Sequence, residues 1–340
     1  MAKVTGASLA AVAFQGLINE DVMQQIWDIS NVPLPFSDAI GSGSHDNEYN
    51  EWTLDKLNAP DLANAKVDGA DVVDNNEKVG GRVGNHSQIS TKRVVVSSRA
   101  QASSVIGQSD ALAYQIMQRQ KELRRDVNAI ALSQQASVAD DGAAVAGKSA
   151  GFGAWLTSNV SRGAAPGASG GFAAGIVAAP VAGVARALSE TNIRNVAQSV
   201  YQNGGDPSLA ISTPALIRKL SEYLFTATAR VATLTSETGQ SETAAVAKGA
   251  VNVFVTDFGV VLELVADRTM APVDATHTNM YIVDPEYVEL SYLAGYRVEP
   301  LTKAGLADAR LMSVDWSLRV LNEAAHGVIA DNDPALAAVA

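Results

Sequence analysis

The strongest pattern of apolar and polar positions in the chain lies between residues 107 and 136. Its apolar residues recur at steps of four, seven, four and three: Leu112, Ile116, Leu123, Val127 and Ile130. These steps place them on one face of a helix, and after Gly107 no Pro or Gly interrupts the run. The pattern predicts a helix over 107–136, with Ser109 as its N-cap and Asp110 in its first turn. At ~1.5 Å per residue this helix is a rod of roughly 40 Å, which is long for a compact enzyme domain.

Two segments before this helix have too little apolar periodicity to fold alone. Residues 1–45 resemble an arm, in which 20–29 favours a short helix and 32–44, with its prolines, is predicted to be non-regular. Residues 46–100 favour β structure, with strands at 49–57 and 88–97 that form a two-stranded ribbon around a polar middle. A two-stranded ribbon is marginal by itself. Both segments are therefore predicted to lie on a neighbouring molecule.

The chain after the helix divides into a Gly/Ala-rich stretch and a series of regular elements. Gly and Ala dominate between 140 and 190, which is typical of a flexible segment or of closely packed backbone. A helix at 191–202, a buried strand at 209–212 and a helix that opens at Pro214 then predict a small α/β unit. Further strands are predicted at 251–257, 260–265, 281–284, 288–293 and 310–321. The predicted fold class is α+β.

The composition favours a protein that loses much of its surface to copies of itself. Apolar residues make up 47% of the chain and charged residues only 18%, so the surface must be rich in Ala, Ser, Thr and Gly. A free monomer usually relies on surface charge to stay soluble. The net charge of −11 argues against a protein that coats DNA, since phosphate binding needs concentrated Lys and Arg.

Cysteine and histidine usage limits the metal chemistry that the chain can support. No cysteine is present, which excludes disulfides and thiolate zinc sites, and the 4 histidines are widely separated.

The N-terminal stretch is apolar only as far as Glu20 and has no clean cleavage site, so it predicts an intracellular arm and not a signal peptide. No stretch reaches the apolar length of a membrane span.

One stretch matches a nucleotide-binding motif literally. Residues 142–149 read G-x-x-x-x-G-K-S, the phosphate-loop pattern. The residues that would hold phosphate and magnesium are Gly147, Lys148 and Ser149. Residues 253–257 resemble the apolar strand whose final Asp holds the metal in such sites. The motif needs a buried strand before it and a helix that starts at Lys148, but here a long helix precedes it and glycines follow it. Nucleotide hydrolysis is therefore the alternative function and not the favoured one.

Other groupings predict ordinary local structure. The glycine cluster at 80–85 predicts a turn or a bend in the ribbon. Asp284 before Pro285 is a common start of a turn. His326 lies one helical step from Glu323, which predicts a surface or C-cap contact and not a catalytic dyad.

The adjacent Arg124 and Arg125 on the long helix have two readings. They could touch nucleic acid, or they could pair with Glu122 and Asp126, and the ion pairs are favoured. No catalytic, cofactor-binding or metal-ligating residue is predicted, and no cofactor. The chain is predicted not to be an enzyme.

A set of short signatures follows in a specific order from about residue 45 to residue 330. The first are Glu51, Trp52, Asp55, Leu57, Arg82, Gly84, Asn85, Gln88, Ile89, Lys92 and 122–126. The later ones are 150–152, Trp155, Asn159, 201–207, 257–259, Met270, Asp284, Pro285, Ser317, Leu318, Asn322 and 325–327. Their order and spacing resemble a family of tailed-phage major capsid proteins over nearly the whole chain. The chain departs from the family at 303–306, where it has Lys-Ala-Gly-Leu in place of Lys-Thr-Gly-Asp. The resemblance therefore gives no prediction for that turn.

The resemblance implies the Hong Kong 97-like phage capsid fold and a division of the chain. The N-terminal arm would be 1–45 and the extended β ribbon, or E-loop, 46–98. The peripheral domain would hold the long helix, called the spine helix, at 99–149 and late strands at 281–330. The axial domain would be 150–280, and a C-terminal tail would be 331–340.

The same resemblance implies a structural function. The protein would be the major capsid protein of a tailed bacteriophage, which self-assembles into the hexamers and pentamers of an icosahedral shell around double-stranded DNA. Its partners would be other copies of itself, a portal, and scaffold or decoration proteins, with non-specific contact to packaged DNA on the inner face and no membrane. It would reside in the virion capsid after assembly in the host bacterial cytoplasm.

Overall fold

The computed structural model describes residues 33–55, 57, 60–69, 80–103, 110–224, 253–303 and 305–339. Its helices are α1 (Pro35–Ala39), α2 (Ser98–Ala102), α3 (Ala111–Ala131), α4 (Phe152–Trp155), α5 (Glu190–Gln202) and α6 (Pro214–Leu224). The first seven strands are β1 (Gly41–Ser44), β2 (Tyr49–Leu54), β3 (Gly81–His86), β4 (Gln88–Ser97), β5 (Val160–Ser161), β6 (Gly171–Ala173) and β7 (Ile176–Ala178). The others are β8 (Leu209–Ser212), β9 (Val253–Val255), β10 (Val261–Ala266), β11 (Thr278–Val283), β12 (Val288–Pro300), β13 (Ala307–Val320) and β14 (Gly327–Asn332).

Two larger sheets organise these elements. A four-stranded sheet has the order β1-β12-β13-β4, and a six-stranded sheet has the order β5-β14-β11-β8-β10-β9. The pairs β2–β3 and β6–β7 form separate two-stranded ribbons. Helices and strands are thus mixed along the chain without a regular alternation, and the predicted α+β class is confirmed.

Helix α3 lies on the four-stranded sheet through the apolar face that the sequence predicts. Leu123, Val127 and Ala131 are buried in one core with Trp316 and Leu318 of β13. The outer face of the helix stays exposed, because the apolar residues occupy only one stripe of its surface. With 21 residues at ~1.5 Å each, the helix is roughly 32 Å long.

The helix is shorter than the predicted 107–136. Residues 107–109, including the predicted N-cap Ser109, lie outside the described part of the chain. The cap is Asp110, whose carboxylate accepts the N–H of Ala113 at 3.0 Å. At the other end Ser133 stops the helix, because its hydroxyl and its N–H both donate to the carbonyl of Ile130 at 2.7 and 3.0 Å. The Ser133 side chain thus competes with the backbone N–H groups for a carbonyl that would otherwise accept a helical hydrogen bond.

The ribbon is real, but its strand pairing differs from the prediction. Strand β2 pairs with β3 in antiparallel register, and β4 pairs instead with β13. The glycine cluster at 80–85 is therefore mostly a strand and not a bend. Gly84 suits this position because a Cβ there would lie 2.6 Å from the ring of Tyr49. β4 joins the four-stranded sheet because its Val94 and Val96 are buried there.

The arm segment 32–44 also contains more regular structure than predicted. Pro35 begins the short helix α1, a position where its fixed φ and missing N–H carry no cost. Phe36 is fully buried, with its ring centroid 5.6 Å from that of Phe152. Strand β1 then pairs in parallel with β12. The predicted helix at 20–29 lies outside the described residues.

The later elements follow the sequence closely. Helix α5, strand β8 and helix α6 confirm the predicted α/β unit within one or two residues. Strands β12 and β13 are longer than the predicted 288–293 and 310–321, since they pair with each other far beyond the core. A second core lies between α5, α6 and the six-stranded sheet, with Ile193, Leu216 and Leu262 at its centre.

Candidate functional site

The phosphate-loop match has no structural counterpart. Lys148 is in an antiparallel bridge with Val138, and no helix begins at that residue. The carboxylate of Asp141 accepts the backbone N–H groups of Ala143, Ala144 and Val145, each at 2.8 Å. These hydrogen bonds lower the pKa of the Asp141 carboxyl below its usual value. The donors that would cradle a phosphate are already satisfied by an anionic side chain of the same loop.

The other residues that nucleotide binding would need form hydrogen bonds or ion pairs with other parts of the chain. Ser149 is fully buried, and its hydroxyl accepts from the N–H of Leu318 at 3.0 Å and from the Asn85 amide at 3.1 Å. Asp257, the supposed metal ligand, forms an ion pair with Arg194 at 2.5 Å. Residues 142–149 are therefore a structural loop beneath the ribbon.

His326 caps the C-terminus of the short 3₁₀ helix Glu323–Ala325, since its N–H donates to the carbonyl of Glu323 at 3.1 Å, and the predicted C-cap contact is confirmed. Its side chain is fully buried, so the alternative prediction of a surface contact is wrong. Its Nδ1 accepts the N–H of Asp284 at 3.2 Å, and its Nε2 donates to the carbonyl of Tyr287 at 3.3 Å. Burial lowers the pKa of His326 to about 4, so the ring is neutral in the folded chain. Asp284 also starts a turn as predicted, since its carboxylate accepts the N–H of Glu286 at 3.1 Å.

The arginines of α3 do not make the predicted ion pairs. Arg124 lies 3.6 Å from Asp38 of α1. Glu122 pairs with Arg119, and Asp126 pairs with Lys92 of β4. Glu122 therefore takes a different partner on the same helix, whereas Arg124 and Asp126 face charges of α1 and β4, which the spacing along one helix does not reveal.

Among the described residues, no group of three or more His, Cys, Asp and Glu side chains is placed so that it could hold a metal ion. None of the described helices has the length and apolar character needed to cross a bilayer. The turn at 303–306, where the sequence departs from the family pattern, has Gly305 at a positive φ of 71°. Lys303 at its start forms an ion pair with Asp308 at 2.9 Å.

Arg319 fixes the root of the ribbon to the four-stranded sheet. Its guanidinium donates to Glu289 of β12 at 2.5 Å and to the Asn50 side chain at 2.8 Å. It also lies over the ring of Trp52, 6.0 Å from the centroid. Sequence reasoning missed this residue, although an arginine between Leu318 and Val320 in an apolar strand is a signal of a paired cation.

His45 joins the arm to the same region. Its ring nitrogens lie 2.8 Å from the Ser291 hydroxyl and 2.6 Å from the Ser87 hydroxyl. Burial, with a smaller contribution from the positive charge of Arg319, lowers the pKa of His45. The arm, the ribbon and the sheet therefore share one polar junction.

The loop beyond the ribbon is the most exposed apolar part of the described chain. Leu57, Leu62 and Val67 have exposed fractions of 91%, 100% and 81%. Large apolar side chains grouped at such exposure are typical of a surface that another molecule covers. The ribbon thus positions an apolar loop away from the two cores.

This arrangement of a long helix on one sheet, a second sheet with its own core, an arm and a projecting ribbon is found in phage capsid proteins. A chain from Mycobacterium phage Adephagia matches with a TM-score of 0.58 at 14% identity, over 96% of this chain and 98% of that chain. A chain from the capsid of a native GTA particle also has a TM-score of 0.58 at 14% identity, over 95% and 98%. The SrpI encapsulin complex from Synechococcus elongatus matches at 0.56 and 13% identity, over 97% and 98%. These likenesses confirm the predicted Hong Kong 97-like fold.

The sequence comparisons define the family. The model of the SU10 major capsid protein family matches residues 3–333, so the chain belongs to that family and is a phage major capsid protein. The major capsid protein of Escherichia phage Phieco32 is 33% identical over 108 residues, which are 32% of this chain and 31% of that protein. The match thus spans less than a third of the length of this curated relative.

Proposed function

We propose that this chain self-assembles into hexamers and pentamers, which build an icosahedral shell around the double-stranded DNA of a tailed phage. The observation that carries the proposal is the ribbon loop, in which Leu57, Leu62 and Val67 are almost completely exposed. Burial of each such side chain on a neighbour contributes about 1.5–3 kcal/mol. The low content of charged residues, 18%, is consistent with a surface that copies of the chain cover.

We assign the parts of the chain to roles in this assembly as part of the same proposal. Residues 1–45 are the arm, 46–98 the E-loop, and 99–149 with 281–330 the peripheral domain. Residues 150–280 are the axial domain that surrounds the centre of each capsomer, and 331–340 is the tail. The two separate hydrophobic cores support a division between a unit built on α3 and a unit built on α5 and α6.

The proposal extends to partners and location. The shell contacts a portal, scaffold or decoration proteins, and packaged DNA on its inner face, and it is assembled in the bacterial cytoplasm. The protein is structural and not an enzyme. The geometry of 142–149 supports this, because Asp141 and the buried Ser149 occupy the groups that nucleotide hydrolysis would need.

Expression of the chain in bacteria tests the proposal. Sedimentation velocity and electron microscopy should show closed particles many times larger than the 35.4 kDa chain. Lys148→Ala should assemble like the wild type, since Lys148 is exposed, and neither protein should hydrolyse ATP. A wild-type chain that stays monomeric with or without co-expressed phage proteins would contradict the proposal, and ATPase activity lost in Lys148→Ala would revive the alternative.

A further inference from the structure

A histidine in the loop between β10 and β11 has both ring nitrogens facing acceptors. Nδ1 of His277 lies 2.8 and 2.7 Å from the two carboxylate oxygens of Asp274, and Nε2 lies 2.9 Å from the carbonyl oxygen of Gly183. A neutral imidazole has one N–H donor and one lone pair, so it can satisfy only one of these two contacts. The protonated ring donates through both nitrogens. The geometry therefore specifies a positively charged His277.

The proton of this bridge cannot come from Asp274, because donors of the same loop keep that carboxyl ionised. Its Oδ1 accepts the N–H groups of Thr276 and His277 at 2.8 and 2.9 Å and the hydroxyl of Thr276 at 3.0 Å. The N–H of Thr276 contributes most, followed by the His277 ring, and together these hydrogen bonds lower the pKa of the Asp274 carboxyl well below its usual value. The bridge to Gly183 therefore depends on the proton of His277.

The charged side chains that act on His277 also favour its protonated form. The hydrogen bond to Asp274 contributes most to raising the pKa of His277, and the Gly183 carbonyl and the negative charge of Asp331 in β14 act in the same direction. Partial burial opposes them, since the side chain is 15% exposed. Residues 163–184, which contain the ribbon β6–β7 and which we call the hairpin, bring no charged residue to the ring.

The base of the hairpin has a second attachment that does not need the proton of His277. The carboxylate of Asp331 accepts the N–H of Gly163 at 3.0 Å. Arg162 and Arg186 act on the same carboxylate, and an arginine stays charged throughout the pH range in which proteins are folded. Loss of the proton from His277 therefore acts locally, on the contact between its own loop and Gly183.

The loop that His277 fastens is also one wall of a cavity. Residues 271–273 lie on one side of this cavity of about 200 Å³, and Leu132 and Gln134, just after α3, lie on another. The contact of His277 with the hairpin thus helps to set the position of this loop against the end of α3.

We propose that His277 is a proton-operated latch, which in its protonated form ties the loop 271–277 to the hairpin at Gly183 and releases it when the proton is lost. Its stabilising contribution is complete below pH 6.5 and is lost as the pH rises through the raised pKa of the folded chain. A histidine is suited to this role because its charge changes near neutral pH. The latch acts within one copy, so it does not depend on the proposed shell.

The pKa of His277 tests the latch on the wild-type chain. Exchange of the imidazole C2 hydrogen for deuterium, followed by mass spectrometry of each histidine peptide, gives the pKa of every histidine in monomers and particles alike. His277 should have a pKa above 6.5, whereas His45, His86 and His326 should lie below it, because burial lowers their pKa values. Asp274→Asn keeps an oxygen that accepts the N–H groups of the loop but removes the charge, so it should lower the pKa of His277.

Backbone hydrogen exchange tests what the latch holds. The N–H groups of Val184 and Val273 are hydrogen-bonded on the two sides of the contact. At pH 6, His277→Gln should exchange several-fold faster than the wild type at both positions, because a neutral amide cannot replace the bridging cation. At pH 9 the two proteins should exchange alike, since the wild type has then lost its proton. His86→Gln, the same substitution in the ribbon, should exchange like the wild type at both positions and both pH values.

Two results would overturn the inference. One is a wild-type His277 whose pKa lies at or below 6.5, and this measurement stands even if a variant fails to fold. The other is an exchange difference between His277→Gln and the wild type that is absent at pH 6 or equally large at pH 9. Neither result bears on the proposed shell, which is tested by particle formation.

Discussion

At the scale of single residues, buried polar side chains connect elements that are far apart in sequence. Asn85 of the ribbon donates to the carbonyl of Leu318 at 2.7 Å and accepts the N–H of Ala150 at 2.9 Å. Asn128 of α3 accepts from the N–H of Ser37 and donates to Asp267. The sequence does not reveal such residues, because an asparagine in a polar stretch looks like any surface amide until its partners are known.

Asn85→Ala should destabilise the monomer. The substitution leaves the buried N–H of Ala150 and the carbonyl of Leu318 without their partner, and each unsatisfied group costs about 1–3 kcal/mol. Chemical denaturation should therefore show a loss of about 2–4 kcal/mol in the free energy of unfolding. Gln120→Ala on the exposed face of α3 is the control and should change it by less than about 0.5 kcal/mol. Equal effects of the two variants would contradict the buried role of Asn85.

His326 should make the stability of the fold depend on pH. Burial lowers its pKa to about 4 in the folded chain, from the ordinary value of 6.5 that the exposed ring has in the unfolded chain, so the unfolded chain binds the proton first. The stabilising contribution is complete above pH 6.5 and is lost as the pH falls toward 4. The loss is about 3 kcal/mol, at 1.36 kcal/mol per pKa unit. Unfolding measured from pH 7 to 4 should show this slope, and His326→Gln should flatten it while lowering stability at pH 7. An unchanged slope in the variant would assign the effect to other groups.

At the scale of elements, the sequence predicted the regular segments better than their partners. The apolar face of α3 and strands such as β4 and β8 follow from local periodicity, and the structure confirms them. The partner of β2 could not be predicted, because a strand pattern specifies which residues face a core and not which strand lies alongside. Strand β4 pairs in the four-stranded sheet and not with β2, because Val94 and Val96 are buried there. The sequence already disfavoured the 142–149 match through the elements around it, but a motif of eight residues could not show that Asp141 accepts the N–H groups of the loop.

The ribbon loop should be dispensable for folding and necessary for assembly. The double variant Leu62→Asp with Val67→Asp should retain the wild-type melting temperature, because both side chains are exposed in the monomer. It should fail to form particles, because carboxylates placed in a contact between copies would be buried without partners. Sedimentation velocity should show the monomer of 35.4 kDa, with Val145→Asp as the assembling control. Normal particles from the double variant would show that the ribbon loop makes no contact that assembly needs.

At the scale of the whole molecule, surface composition and fold agree. A chain with 47% apolar and 18% charged residues folds into two cores and still exposes apolar loops and patches. That combination is consistent with a subunit whose structure is complete only among its copies. The sequence indicated this through the weakly charged surface and through the arm and ribbon that could not fold alone. The order of the strands in the two larger sheets required the structure, because local periodicity does not specify which strands are neighbours.

A cryo-electron microscopy reconstruction of particles formed by the expressed chain tests the central claim most directly. The account predicts closed icosahedral shells with five-fold and six-fold capsomers, in which the loop around Leu62 and Val67 of each copy is buried on a neighbouring copy. Particles without this symmetry, or a shell in which that loop stays exposed to solvent, would contradict it.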